Sequence, residues 1–104
     1  MSNDQSQLGD NVKERVVPKK DTPKLYKVVL MNDDYSTMEF VVLVLESVFQ
    51  KSPAEAYRVM MQVHRLGSGV AGVYPWEVAE TKVETVTKMA KDAGYPLRAV
   101  TEEA

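Results

Sequence analysis

The feature that most constrains the fold of this chain is an abrupt change of pattern within residues 27–40. Side chains that favour β-structure predict a strand over residues 26–31. This strand ends at three adjacent polar residues, Asn32, Asp33 and Asp34, and an apolar helix follows almost at once. Two carboxylates and an amide beside an apolar surface suit a small cation with an apolar neighbour. The α-ammonium of a peptide with a bulky first side chain is such a group.

Ser36 is predicted to be the N-cap of the first helix through its hydroxyl. Glu39 three residues later completes a capping box. The helix is predicted over residues 38–50 and is apolar nearly all round. Such a helix is expected to be buried on most sides.

The second helix has a sharper start signal. Ser52 supplies the cap hydroxyl, Pro53 stands at the first helical position and Glu55 at the third. The helix is predicted to run to about Leu66 and to end at Gly67, because glycine readily takes the left-handed conformation that closes helices.

The remaining elements complete the predicted order strand, helix, helix, strand, helix, strand. Residues 68–73 predict a turn and a short strand whose glycines indicate a bulge or a close backbone approach. A third helix is predicted over 76–93 and a last strand over 97–101, with residues 102–104 frayed. The fold class is therefore α+β, with a three-stranded antiparallel sheet packed against three helices.

Composition narrows the class of protein. The 104 residues, 44% of them apolar, support one small domain, and the net charge of −2 is not typical of a nucleic-acid-binding module. The absence of cysteine and the single histidine argue against disulfides and structural zinc. The longest uncharged apolar run, residues 40–45, is far shorter than the about 20 residues that a membrane span needs. With no signal peptide evident, a cytoplasmic protein is expected.

Residues 1–24 differ from the rest of the chain. They are rich in Ser, Asn, Asp, Gln and Lys and contain no aromatic residue. Such a segment buries too little apolar surface to offset the entropy of ordering. It is predicted to be a flexible extension, either passive or gripped by another protein, and residues 25–104 form the predicted folded domain.

No catalytic residues are predicted. The chain has neither a glycine-rich phosphate loop nor a nucleophile elbow, so a binding module is expected instead of an enzyme. Met60, Val63 and His64 share one helix face by their spacing, as do Met38 and Val41. The spacing favours ordinary core positions, and the alternative is a pocket whose flexible methionines adapt to several shapes.

Four segments of the chain also carry a resemblance to a known family. They are Asn-Asp-Asp-Tyr-Ser-Thr-Met-Glu-Phe-Val at 32–41, Val-His at 63–64, Gly-Val-Tyr at 72–74 and Glu-Val-Ala-Glu-Thr-Lys-Val at 77–83. They closely resemble ClpS, the bacterial adaptor that passes N-degron substrates to the ClpA unfoldase of the ClpAP protease. The likeness continues in register over residues 26–103.

The resemblance implies a role for individual residues. Asn32, Asp33 and His64 correspond to the groups that bind the α-ammonium of the substrate. Met38 corresponds to the residue that gates the side-chain pocket and excludes β-branched residues. The other residues implied at the pocket are its wall, Val41, Met60, Val63 and Leu97, and its rim, Asp34 and Ser36.

The resemblance also implies partners. Glu77 and Lys82 correspond to the docking face for the N-domain of a ClpA-type AAA+ unfoldase, and residues 1–24 to the segment used in delivery. The expected substrates are proteins and peptides with a free N-terminal Phe, Tyr or Trp, with Leu as an open case. No cofactor, metal, nucleic acid or membrane partner is expected, and the protein is expected to be a monomer.

Two other readings of the same residues stay open at this point. Asp33 and Asp34 are the basis for a metal-binding regulatory domain, which would depend on magnesium or calcium. A methionine-lined groove would suit a general protein-interaction domain, which would be indifferent to acetylation of the peptide N-terminus.

Overall fold

A computed structural model describes residues 22–104 of the protein. Most of the predicted flexible extension, residues 1–24, lies outside these residues. The elements, in chain order, are β1 Leu25–Met31, α1 Met38–Ser47, α2 Pro53–Leu66, β2 Ser68–Pro75, α3 Trp76–Ala93 and β3 Arg98–Glu103. The predicted order of elements is confirmed.

The sheet is antiparallel with β1 in the centre, in the order β2-β1-β3. Val28, Val29 and Leu30 of the central strand are all buried, and the alternate residues Val28 and Leu30 belong to the core. The core they enter contains side chains from all three helices, including Val44, Val59 and Val86. The predicted α+β class with helices packed on the sheet is thus confirmed.

The predicted irregularity in the glycine-containing strand is a β-bulge. Val28 pairs with Gly72 whereas its neighbour Val29 pairs with Val70, so Ala71 is the extra residue. Ala71 is fully buried in the core. Gly72 leaves room for Tyr74, because a Cβ at Gly72 would lie 2.6 Å from carbons of the tyrosine ring.

The second helix begins and ends as predicted. The Ser52 side chain accepts a hydrogen bond from the Glu55 amide at 3.2 Å, and Pro53 occupies the first turn. Gly67 closes α2 with a φ of 92°, a left-handed conformation that glycine adopts without the steric cost of a Cβ.

The start of the first helix differs from the prediction. Thr37 is the N-cap, and its Oγ1 accepts from the Phe40 amide at 3.1 Å. The prediction of Ser36 as the cap was wrong, because its amide and its hydroxyl both donate hydrogen bonds to the Asp33 carboxylate.

The ends of two elements also differ. Helix α1 ends at Ser47 and not at Gln50, because Gln50 has a φ of 52° and lets the Lys51 amide turn back to the Leu45 carbonyl. Strand β3 begins after Leu97 and does not fray at its end. Its pairing with β1 continues to Glu103.

Helix α1 is less buried than predicted. Its inner face carries Phe40, Val41, Val44 and Leu45 into the core, but Met38 is 44% exposed and Leu43 is 50% exposed. The helix packs through one face only, so its remaining apolar side chains reach the surface. None of the helices within residues 22–104 is both long and apolar enough to cross a membrane.

Candidate functional site

The loop after β1 is fixed beside the C-terminal end of α2 by a backbone hydrogen bond. The Asn32 amide donates to the carbonyl of Gly67 at 2.9 Å. Gly67 follows His64 by three residues, at the turn that closes α2. This bond therefore brings the loop that carries Asn32 and Asp33 next to the helix end that carries His64.

Asp33 organises that loop. Its Oδ1 accepts from the amides of Tyr35 at 2.8 Å and Ser36 at 2.6 Å, and its Oδ2 accepts from the Ser36 hydroxyl at 2.7 Å. This is the side-chain-to-backbone turn that aspartate favours just before a helix. An ionised carboxylate has about four lone-pair positions, so one position remains for a ligand.

These bonds keep Asp33 ionised. Partial burial acts to raise the pKa of Asp33, but the bonds from the Ser36 amide, the Ser36 hydroxyl and the Tyr35 amide together outweigh it. The pKa of Asp33 consequently lies below its ordinary value. The loop thus holds a negative charge in a fixed position before any ligand arrives.

A cavity of about 240 Å³ opens between this loop, the start of α1 and the end of α2. One part of its lining consists of amide, carboxylate, hydroxyl and imidazole groups, and the other part is apolar. The lining residues are Asn32, Asp33, Asp34, Ser36, Met38, Val41, Met60, Val63 and His64. All the residues predicted for the α-ammonium site and the rim therefore meet at one cavity.

Two residues predicted for the hydrophobic pocket need comment. Leu97 is buried in the core just before β3, and the cavity lining consists of other residues, so its role in the pocket wall stays a prediction. Met38, in contrast, lines the cavity and is nearly half exposed.

Gly69 is a supporting residue whose role the sequence only hinted at. A Cβ at Gly69 would lie 3.0 Å from the Val63 Cγ2 and 3.3 Å from the Val59 carbonyl oxygen. The missing side chain lets β2 approach α2 closely. The position of Val63, and with it one wall of the cavity, depends on this approach. The signal was the glycine in a predicted strand.

Glu77 and Lys82, predicted as a docking face, lie elsewhere. They line a groove of about 650 Å³ between the end of α1 and α3, here called the helix groove. The other lining residues are Ser47, Val48, Gln50, Val78, Thr81, Thr85 and Met89. None of these other residues carries a charge, so Glu77 and Lys82 are the charged residues of the groove.

Lys82 has structural partners within this groove. Its Nζ donates to the Val48 carbonyl at 2.7 Å and to Gln50 Oε1 at 3.4 Å, and it lies 5.5 Å from the centre of the Tyr74 ring. A cation at the C-terminal end of a helix satisfies a free carbonyl and opposes the helix dipole. Lys82 therefore fixes the turn after α1 as well as lining the groove.

Within residues 22–104 the structure contains no group of three His, Cys, Asp or Glu side chains placed to hold a metal ion. Asp34 is exposed beside Asp33, and the single histidine of the chain, His64, lines the cavity with them.

Comparison with known proteins gives a consistent result. Residues 21–100 match the family described as ATP-dependent Clp protease adaptor protein ClpS. A protein named ATP-dependent Clp protease adapter protein ClpS from Wolinella succinogenes is 50% identical over 98 residues, covering 94% of each chain. One of the same name from Desulfatibacillum aliphaticivorans is 57% identical over 91 residues, covering 88% of this chain and 86% of the relative.

A solved structure agrees in both fold and sequence. Agrobacterium tumefaciens ClpS2 bound to L-phenylalaninamide matches with a TM-score of 0.77 and 49% identity, over 80% of this chain and all of that one. The family and its named relatives are protease adaptors and not catalysts. The chain belongs to the ClpS family of adaptors of the ATP-dependent Clp protease.

Proposed function

We propose that this protein binds the free N-terminal residue of substrate proteins in the cavity and delivers those substrates to a ClpA-type unfoldase for degradation by ClpAP. The expected residues are Phe, Tyr and Trp, with Leu as an open case. The observation that carries the proposal is the two-part lining of the cavity, with hydrogen-bond acceptors on one side and apolar side chains on the other.

The polar side suits an α-ammonium group. An ammonium offers three donors. Three acceptors are available to it: the side-chain amide oxygen of Asn32, the remaining lone pair of Asp33 and a ring nitrogen of His64. Because Asp33 is held ionised by its own loop, its charge faces the ammonium without rearrangement. Hydrogen bonds to charged groups contribute about 1.5–3 kcal/mol each before the cost of association.

The apolar side suits one bulky side chain. Val41, Met60 and Val63 are buried around it, and Met38 stands at the mouth. The volume of about 240 Å³ is below the range of roughly 300–1,000 Å³ that is usual for drug-sized ligands. Burial of a Phe or Leu side chain contributes about 2–3 kcal/mol. Agrobacterium tumefaciens ClpS2 has been solved with L-phenylalaninamide, an amino acid amide with this combination of groups.

The helix groove is the proposed docking face for the unfoldase N-domain, with Glu77 and Lys82 as its charged residues. Charges of both signs around an apolar groove suit an interface of limited area with a defined orientation. Delivery is assigned to residues 1–24, of which residues 1–21 lie outside the described part of the chain.

The proposal is tested by fluorescence anisotropy with three labelled peptides: one with N-terminal Phe, the same peptide acetylated, and one with Phe moved to the second position. Only the first is expected to bind tightly, with a dissociation constant in the micromolar range or below. Acetylation removes the positive charge and leaves the polar side of the cavity without its partner. Asp33→Ala, which removes a carboxylate that lines the cavity, should lose this binding. Asp92→Ala, which removes an exposed carboxylate of α3 that pairs with Lys88, is its control variant and should bind normally.

Equal binding of all three peptides would overturn the proposal in favour of a general interaction groove. Binding of none, together with a change in thermal stability on addition of magnesium or calcium, would favour the metal-binding reading. Loss of binding in Asp92→Ala as severe as in Asp33→Ala would show that the effect does not come from the cavity.

A further inference from the structure

A second groove adjoins the cavity on the outside of α1 and is here called the outer groove. It has a volume of about 410 Å³. Its apolar lining residues are Met38, Val42, Leu43, Tyr57 and Met60, and Glu39 and Glu46 complete it. Met38 and Met60 line the cavity too. These two methionines are therefore the wall between the cavity and the outer groove.

The outer groove presents apolar side chains that the fold itself leaves exposed. Leu43 is 50% exposed and Tyr57 is 58% exposed, and they belong to neighbouring helices, α1 and α2. Single apolar residues on a surface need no explanation, but several grouped in one groove indicate an interaction site. This groove includes the exposed residues of α1 that contradicted the prediction of a buried helix.

We propose that the outer groove binds an apolar side chain at the second or third residue of the same substrate whose first residue occupies the cavity. This inference rests on the proposed function. It extends recognition beyond the first residue and makes Leu43 and Tyr57 determinants of substrate choice.

Continuity with the cavity identifies the occupant. A peptide anchored by its first residue has to leave the cavity over its rim, which is polar at Asp34 and Ser36 and apolar at Met38. Tyr57 precedes Met60 by three residues on α2. It therefore lies about one helical turn, roughly 5 Å, from Met60 toward the N-terminus of the helix. Consecutive Cα atoms of a peptide are about 3.8 Å apart. The second and third residues therefore reach the outer groove without a long connection.

The chemistry of the groove favours an uncharged apolar side chain. Five of its seven lining residues are apolar, and the two charged ones are both glutamates. A carboxylate-bearing substrate residue would meet like charge there. Leucine is a suitable probe because it is apolar, flexible and contains no hydrogen-bonding group.

The test compares three peptides that share an N-terminal Phe: one with serine at positions two and three, one with leucine at position two and one with leucine at position three. In the wild-type protein, leucine in at least one of the two positions is expected to tighten binding about fivefold. In Leu43→Ser and Tyr57→Ser this advantage should disappear, so that the leucine and serine peptides bind about equally. Leu66→Ser is the matched control, because Leu66 is a 75% exposed residue of α2 outside the groove, and it should keep the full advantage.

The serine peptide separates the two levels of the proposal. It should bind the wild type and both groove variants within about twofold, which also shows that the variants are folded. If it binds but leucine gives no advantage at either position, the outer-groove inference is overturned and the proposed function stands. The same holds if the groove variants retain the advantage. If no Phe-first peptide binds the wild type, both proposals fail.

Discussion

The cavity and the helix groove contain similar residue types but hold their charged side chains in different ways. In the cavity, Asp33 is locked by three hydrogen bonds from its own loop, and the Asn32 amide ties that loop to α2. In the helix groove, Lys82 reaches the end of α1 through a long side chain, and Glu77 is exposed. The cavity has about 240 Å³ and the groove about 650 Å³.

The difference shows where preorganisation is needed. A site for a single ammonium group gains most when its acceptors are already fixed, because the ligand then does not have to order them. A groove for another folded domain gains from area and shape, and its charged residues mainly set orientation and the rate of encounter. We therefore expect substitutions in the cavity to change ligand binding strongly, and substitutions in the helix groove to change stability and docking instead.

The largest effect is expected for Asp33→Ala. This change removes the fixed charge and releases the amides of Tyr35 and Ser36, so the loop loses both its partner for the ligand and its own order. Affinity for a Phe-first peptide should fall about a hundredfold, which corresponds to roughly 2.8 kcal/mol. Anisotropy titration measures it.

The matched variants for this prediction are Asp33→Asn and Lys82→Met. Asp33→Asn keeps one oxygen for the loop amides and replaces the other oxygen, with the charge, by an amide NH2, so its loss should be smaller than that of Asp33→Ala. Lys82→Met lies in the other region and should bind the peptide as the wild type does. A loss for Asp33→Ala of less than about threefold would contradict the contrast between the two regions.

The second effect concerns Lys82 and the stability of the fold. Lys82→Met keeps most of the side-chain length but leaves the Val48 carbonyl without the ammonium at the end of α1. We expect the free energy of unfolding to fall by about 1–2 kcal/mol, because a hydrogen bond from a charged group at a helix C-terminus is lost. Urea denaturation gives the value.

Lys88→Met is the control for this change. Lys88 lies on the same helix, but its partner is the exposed Asp92 at 3.2 Å, and exposed ion pairs contribute little. Its free energy of unfolding should stay within about 0.5 kcal/mol of the wild type. Equal losses for the two variants would mean that Lys82 acts only as a surface charge.

The sequence predicted which helices and strands form better than it predicted where each one starts and ends. For α2 the cap, the first-turn proline and the closing glycine agree, so start and end were both found. For α1 two adjacent hydroxyl residues, Ser36 and Thr37, could act as the cap. Only the fold shows that the Ser36 hydroxyl donates to Asp33, which leaves Thr37 as the cap.

The candidate site shows a similar limit. Four of the polar residues of the cavity, Asn32, Asp33, Asp34 and Ser36, lie close together in the chain, and their grouping was evident. His64 lies on α2, and the family resemblance was needed to place it with them. Leu97 is 4% exposed and Leu43 is 50% exposed, and this difference depends on what packs against each side chain, which local sequence does not encode.

The third effect separates those two hydroxyls. Thr37→Val removes the cap of the Phe40 amide while keeping the shape of the side chain, and it should lower the free energy of unfolding by about 1 kcal/mol. Peptide affinity should change little. Ser36→Ala should lower peptide affinity and change the free energy of unfolding little, because it removes the hydroxyl that donates to Asp33 Oδ2 and alters the rim. If both variants lose stability equally and bind equally, the reassignment of the cap is wrong.

The smallest effect is the pH dependence of stability that comes from Asp33. Its pKa is lower in the folded protein than its ordinary value of 3.8. A carboxyl group of this kind stabilises the fold while it is ionised, so its contribution is present above the ordinary value and is lost as the pH falls through the lower folded value. The wild type should therefore be more stable than Asp33→Asn at pH 6. The difference should begin to shrink near pH 4 and disappear at lower pH.

Urea denaturation of the two proteins between pH 6 and pH 2.5 measures this difference. Glu55 also has a lowered pKa, held down chiefly by its hydrogen bond from Arg58, and it contributes a loss of stability in the same pH range. Because Glu55 is present in both proteins, its contribution cancels in the difference, and only the titration of Asp33 remains. A difference that stays constant over the whole range would show that the loop does not hold the charge of Asp33, and the cavity would then be no more preorganised than the helix groove.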